Sequence, residues 1–429
     1  MTTAFAAGSP DHVVTDEQKR EAVRAAVQHA GDVSRTLVLP PDATRLHSGA
    51  GPLTHMLHDE IGRAGTFHVM PALGTHFPMD DAQLRRMFGD QIPREAFKEH
   101  DWRDGLARLG EVPAGFVHEV SDGVLRDLMP DFAVPVEINR RLVEGRYGAI
   151  FSVGQVVPHE VVGMANGFKN VLVGAGGRET INRTHFLGAA YGMERMMGRA
   201  RTPVRDVLNY AHGRYLKDLG IVYILTVMGP DDSGAPVMRG IYVGDDEETF
   251  LQAAALSRQV NVTLLDEPPR RVVAFLDPEE FHSTWLGNKA IYRTRMAIAD
   301  GGELTVIAPG VRTFGEDPEI DRLVRRHGYR GTPATLDAVA RDPDLRENLS
   351  AAAHLIHGSS EGRFDIIYAT DPHLLSQQEV EGVGFAWRDV ADPLAEHDPE
   401  GLATGPQDGF YFVRRPGLGL WAAQETFGE

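Results

Sequence analysis

Three basic residues stand out in the chain by type and spacing. His159 follows a proline in "PHEVVGMANGFKNVLVGAGG" (158–177), Lys169 comes ten positions later, and His185 sixteen after that. Histidine titrates near neutral pH and suits acid–base work or metal ligation. A lysine in an apolar, glycine-rich setting has a depressed pKa and becomes a nucleophile or a covalent attachment point, unless its stem carries the charge out to solvent. Glycines at 174, 176 and 177 free backbone amides that could cradle a phosphate, although the run has neither the P-loop nor the dinucleotide spacing. Two further stretches carry chemistry of the same kind. "PPDATRLHSGAG" (40–51) offers Asp42 and Arg45, and "ALGTHFPMDD" (72–81) offers His76 just before a helix start. Asp42 as a turn cap and His76 as a structural histidine are the plain alternatives. A fourth stretch, "FHSTWLGNKAIYRTR" (281–295), places Trp285, Lys289 and Arg293 at helical spacing, which suits an anionic ligand or a solvated helix face.

Buried strands precede three of these stretches: "RTLVLP" (35–40), "TFHVMPAL" (66–73) and "GAIFSVGQV" (148–156), with a further strand at "IVYILTVMG" (221–229). Helical patterns lie between them, "DDAQLRRMFGD" opening on two aspartates and "TPVRDVLNYAHGRYLKDLG" closing on glycine. This alternation predicts an α/β fold of two domains with mainly parallel sheets, with ligands at the loops that leave the strand ends. The paired prolines of "LLDEPPRRVV" (264–273) mark the hinge. The expected division is a larger domain over 1–266 and a smaller one over 267–399. The strand-like tail, 400–429, is expected to return to the larger domain, with the active site in the cleft between them.

Composition narrows the chemistry. The 429 residues carry a net charge of −18, which opposes a nucleic-acid partner. The longest apolar runs are too short for a membrane span, and the start lacks a secretory pattern, so a cytoplasmic protein is expected. With no cysteine, any metal must bind through histidine, carboxylate or donors brought by a cofactor.

The chain resembles the nickel-dependent lactate racemase family. The resemblance rests on "DATR" (42–45), "GTHFP" (74–78), "PH" (158–159), Lys169, His185 in "NRTHF", and "TWLGNK" (284–289), from about residue 35 to 320. It implies a nickel-pincer nucleotide, a pyridinium-3-thioamide-5-thiocarboxylic acid mononucleotide tethered to Lys169, with His185 as the one protein ligand to nickel. The glycines at 174, 176 and 177 would pack against the nucleotide, and Asp42 would orient the cofactor or Arg45. His76 and His159 correspond to the two catalytic histidines, each serving one enantiomer of a 2-hydroxy acid. Arg45 and Lys289 would hold the substrate carboxylate, with Trp285 beside them. The expected partners are that small acid and the cofactor-biosynthesis proteins that load the site. Lactate-active members carry tyrosine and glutamine where this chain has Trp285 and Leu286, so a larger, more apolar or sugar-derived acid is expected. A dehydrogenase or lyase with another cofactor, and a non-catalytic carrier of the pincer group, are the competing readings.

Overall fold

The computed structural model describes residues 3–61, 65–231 and 234–427. It divides into two compact units: the first takes the chain up to Thr184 together with Met197–Asn261, the second His185–Met196 and the chain from Val262 onward.

The first unit is built on a six-stranded sheet. Its order is Phe5–Gly8, Pro236–Gly244, Ile221–Pro230, Ala149–Gln155, Arg35–Leu39 and Thr66–Val69. The last four run parallel, with Thr36 opposite Ala149 and Phe67, while the first two add antiparallel pairs at one edge. Leu37, Val38 and Leu39 are all fully buried, the continuous apolar run of a parallel strand covered on both faces. Helix Asp16–Ala30 starts at a capping box between Thr15 and Gln18 and buries Ala22, Val23 and Ala26 in a core shared with Leu53, Leu57, Phe151 and Ile224. Helix Asp81–Phe88 is capped by Asp80 in the same way, as its two leading aspartates suggest.

The second unit has its own six-stranded sheet: Ala386–Asp389, Phe364–Thr370, Gly302–Ala308, Arg271–Phe275, Tyr411–Val413 and Gly405–Pro406. All pairs are parallel except the last. Both units are thus α/β with mainly parallel sheets.

Three boundaries differ from the sequence expectation. The division falls at Asn261/Val262 rather than at the prolines, because Val262–Leu265 pairs with Leu420–Ala423 of the second unit. The tail does not return to the first domain: Tyr411–Val413 hydrogen-bonds alongside Val272–Ala274. The segment His185–Met196 also counts with the second unit, where Glu194 accepts from the fully buried Arg295 at 2.7 Å. Among the described residues, no helix is long and apolar enough to cross a membrane.

Candidate active site

Three neighbouring parallel strands, Ala149–Gln155, Arg35–Leu39 and Thr66–Val69, end on the same side of the first sheet. The loops that leave them carry His159, then Asp42 and Arg45, then His76. The ladder continues past the central and outer strands through the Pro41–Ala72 bridge, with Ala72 N–H donating to Pro40 C=O at 2.8 Å. That extension sets Asp42 and the His76 loop side by side.

Asp42 is 7% exposed and caps the short helical turn Ala43–Ser48, accepting from the amide and hydroxyl of Thr44. Its other oxygen accepts from His76 Nδ1 at 2.7 Å. Burial pushes the Asp42 carboxyl up, but the hydrogen bond and charge of His76, joined by Thr44, outweigh it and leave the pKa below the usual value. An ionised carboxylate only accepts, so the His76 ring carries its proton on Nδ1 and leaves Nε2 with a free lone pair. The side chain of His76 is 61% exposed, so that lone pair is within reach of a ligand. Asp42 therefore does both the capping and the orienting that its loop position allowed. Its oriented partner is His76, whereas the sequence reading named the cofactor or Arg45.

His159 sits in the tight hairpin Pro158–His159/Gly163–Met164, where Gly163 takes a positive φ of 79°. Its side chain is buried, and Nδ1 accepts from Val161 N–H at 3.1 Å.

Lys169 precedes a π-helical turn, Asn170–Gly174. The glycine-rich run that follows Lys169 thus begins as a helical turn and leads on to helix Arg178–Tyr191. Asn170 pins this turn to two strand ends, donating from Nδ2 to Leu39 C=O and to Ser152 Oγ, both at 3.0 Å. Gly174 C=O accepts from Gly74 N–H at 2.8 Å, tying it to the His76 loop as well. The glycines are close-packing positions: a Cβ on Gly176 would lie 2.0 Å from Leu172 C=O, and one on Gly177 2.4 Å from Glu137 Oε2. Gly174 packs on Ala72 in the same manner.

Lys169 is half-buried by surface, yet its amine lies among protein atoms. Desolvation chiefly, and then the charge of Arg45, lower its pKa to about 8, with Glu160 and Asp42 opposing. Because Lys169 feels Arg45, Glu160, Arg205 and Asp42 together, these groups share one electrostatic neighbourhood. A lysine that sheds its proton early in the folded state costs stability below about pH 8, and that cost is relieved as pH rises toward its ordinary value of 10.5. The chain has five lysines, Lys19, Lys98, Lys169, Lys217 and Lys289. Carbon NMR of the dimethylated protein should therefore show one lysine titrating near pH 8 and missing in Lys169→Met; ordinary titration of all five lysines would exclude the lowered value.

Sequence reasoning overlooked Arg205. It is 1% exposed, stacks on Phe250 at 4.0 Å, and donates to Asn166 C=O (3.0 Å) and Met164 C=O (2.6 Å), fixing the segment between His159 and Lys169. An arginine inside the apolar "TPVRDVLNYA" pattern was the available signal.

His185 lies half-buried on helix Arg178–Tyr191, at the residue where the chain passes from the first unit's grouping to the second's. Trp285 and Lys289 belong to the second unit. Ser283 caps the turn Thr284–Gly287, Trp285 N–H donates to Phe314 C=O at 2.9 Å, and the indole packs on His354 at 4.4 Å. Lys289 opens the next helical turn with Nζ 5.7 Å from the Phe281 ring, whereas Arg293 is buried and donates to Gly419 C=O. A cavity of about 860 Å³ opens elsewhere in the second unit, among Arg270, Arg271, Glu303, Asp365 and Phe410, and contains none of the candidate residues.

Residues 130–196, which span His159, Lys169 and His185, match the family model described as the lactate racemase N-terminal domain. That segment of the chain is similar to the lactate racemase N-terminal domain. A protein of Thermotoga maritima, known from its crystal structure, superimposes on this chain with a TM-score of 0.81 at 25% identity, over 97% of this chain and 100% of that one. The lactate racemase apoprotein from Thermoanaerobacterium thermosaccharolyticum shares the fold with a TM-score of 0.70 at 16% identity, over 97% and 94% of the two chains. No curated protein sequence matches it.

Proposed function

We propose that the chain is a racemase or epimerase of a 2-hydroxy acid that works with a nickel-pincer nucleotide. The observation that carries this reading is the Asp42–His76 pair standing in one electrostatic neighbourhood with a lysine whose pKa is lowered to about 8.

The donor chemistry fits such a cofactor. Among the described residues, no group of three or more His, Asp or Glu side chains could hold a metal. A nickel ion would need most of its donors from the cofactor and only one, His185, from the protein. Lys169 has the depressed amine suited to a covalent tether, and Arg45 and Arg205 add positive charge near it for an anionic nucleotide. When bound, the pincer nucleotide supplies a reversible acceptor for the α-hydrogen as hydride.

The protein's own groups supply the rest. His76 takes the hydroxyl proton at Nε2 while Asp42 holds the ring in register and stabilises the imidazolium that results. Arg45 would hold the carboxylate; Trp285 and Lys289 are carried over from the sequence resemblance, and Leu286 in place of a glutamine favours an acid larger or more apolar than lactate. Proteins of cofactor biosynthesis would be the partners for loading.

The test is the intact mass and nickel content of the protein made in a host that also synthesises the pincer nucleotide, with an established lactate racemase loaded in parallel. An adduct mapped to Lys169 with one nickel, followed by inversion of a 2-hydroxy acid other than lactate in a substrate screen, is the expected result. No adduct beside a loaded control would overturn the cofactor assignment, and release of free keto acid would favour a dehydrogenase.

A further inference from the structure

Trp285 belongs to a closed ring of contacts inside the second unit. Its backbone N–H donates to Phe314 C=O at 2.9 Å, and the Thr284 hydroxyl donates to the same carbonyl at 3.0 Å. Thr284 Oγ1 lies 2.8 Å from the Tyr329 hydroxyl, which in turn lies 2.8 Å from His354 Nε2. The His354 imidazole closes the ring by packing on the Trp285 indole, with centroids 4.4 Å apart and planes tilted by 35°. Thr284, Tyr329 and His354 are buried, whereas Trp285 is half-buried and keeps part of its surface accessible.

The direction of this chain follows from counting hydrogens. A carbonyl only accepts, so the single hydroxyl hydrogen of Thr284 points at Phe314. Tyr329 must then supply the hydrogen to Thr284 Oγ1, and its oxygen is left to accept from His354. His354 therefore carries a hydrogen on Nε2. Cutting a link strands a buried polar group, so the chain resists rotation of the imidazole. The Tyr329 ring is itself stacked on Phe385 at 4.6 Å, which fixes the hydroxyl at the middle of the chain.

The backbone bond to Phe314 alone would leave the indole free to turn about its side-chain torsions. What holds the ring is the face of His354, and what holds that face is Tyr329. We propose that His354 and Tyr329 are positioning residues, which fix the Trp285 indole as a rigid wall. The role of this wall rests on the proposed racemase reading, in which Trp285 lies beside the substrate. Neither residue acts on the reacting atoms. A wall supports ground state and transition state alike, so loosening it should raise KM and leave kcat nearly unchanged.

The test is ¹⁵N relaxation of the tryptophan indoles in the full-length apoprotein, with the Trp285 signal identified by its loss in Trp285→Phe. The chain has four tryptophans, and Trp102 and Trp421 serve as internal controls. Tyr329→Phe and His354→Phe each cut the hydrogen-bond chain while keeping an aromatic ring in place. Both variants are expected to make the Trp285 indole more mobile and to leave Trp102 and Trp421 as they are. If Tyr329→Phe fails to fold, His354→Phe carries the test. A Trp285 indole as rigid as in the unaltered protein would overturn the proposal. In the loaded enzyme, each variant should retain the adduct on Lys169, raise KM for the accepted 2-hydroxy acid by about tenfold and change kcat by less than about twofold. Increased mobility with KM unchanged in a loaded, active enzyme would overturn the role at the substrate. Increased mobility in a protein that takes up no adduct would keep the indole clamp and lose the racemase reading.

Discussion

Replacing Lys169 by Met is expected to abolish both the cofactor adduct and turnover while leaving the fold intact. The variant keeps the length and apolar stem of the side chain and loses only the amine. In the folded protein that amine is desolvated and faces Arg45 and Arg205, so its charge is a cost. Removing it should leave the melting temperature unchanged or raise it. Lys169→Arg makes the complementary control: it keeps the charge, but a guanidinium that never deprotonates cannot serve as the nucleophile of a tether. Mass spectrometry should find no adduct on either variant, and racemisation should fall by about 10³-fold or more, below detection. A Met variant that still carried the cofactor would move the attachment point to another residue. A Met variant that failed to fold would instead show that the lysine is structural.

Asp42→Asn and His76→Gln form the second test, and here loading should survive. General-base catalysis by a positioned histidine is worth about 10²–10⁴-fold, so His76→Gln should lower kcat by about that factor with little change in KM. Asp42→Asn keeps a hydrogen-bonding group of the same shape but no longer requires Nδ1–H on the ring. It should lower kcat by about 10²-fold while retaining the adduct on Lys169. The ordering of the two variants is informative, because Asp42 bears on the proton transfer through its hydrogen bond to His76. In the double variant the losses should fail to add, the mark of two residues working as one unit. Loss of the adduct in either variant would give these residues a structural role.

The elements around the site were largely legible, because each was written in local pattern. The strand Arg35–Leu39 is an apolar run, and helix Asp81–Phe88 announces itself by the aspartate at its cap. What escaped was set by partners distant in sequence. The tail strand Tyr411–Val413 reads as a strand in any sheet, and only its register against Val272–Ala274 decides which one. Glycine was ambiguous for a different reason. It marks both freedom and crowding, and at Gly176 the crowding is what counts, with a backbone carbonyl where a Cβ would stand. Asp42 reads from the sequence as either a site residue or a turn cap, but its link to His76 spans 34 positions and depends on two strands being neighbours. Arg205 was missed because one arginine in an amphipathic helix ordinarily faces water, whereas this one turns inward to the carbonyls of Met164 and Asn166.

The double hydrogen bond of Asn170 has a bearing on how the protein matures. Its partners are Leu39 and Ser152, on two different strands, so the turn that follows Lys169 takes shape only after those strands have paired. Until then the lysine is an ordinary exposed amine with a pKa of 10.5, and at neutral pH its reactive, uncharged fraction is about a few hundredfold smaller than that of an amine whose pKa is about 8. The chain thus becomes chemically receptive at this position as a result of folding, and a ribosome-bound or misfolded copy offers nothing to distinguish Lys169 from its four other lysines. Assembly of the sheet is in this sense the quality check that comes before any covalent commitment.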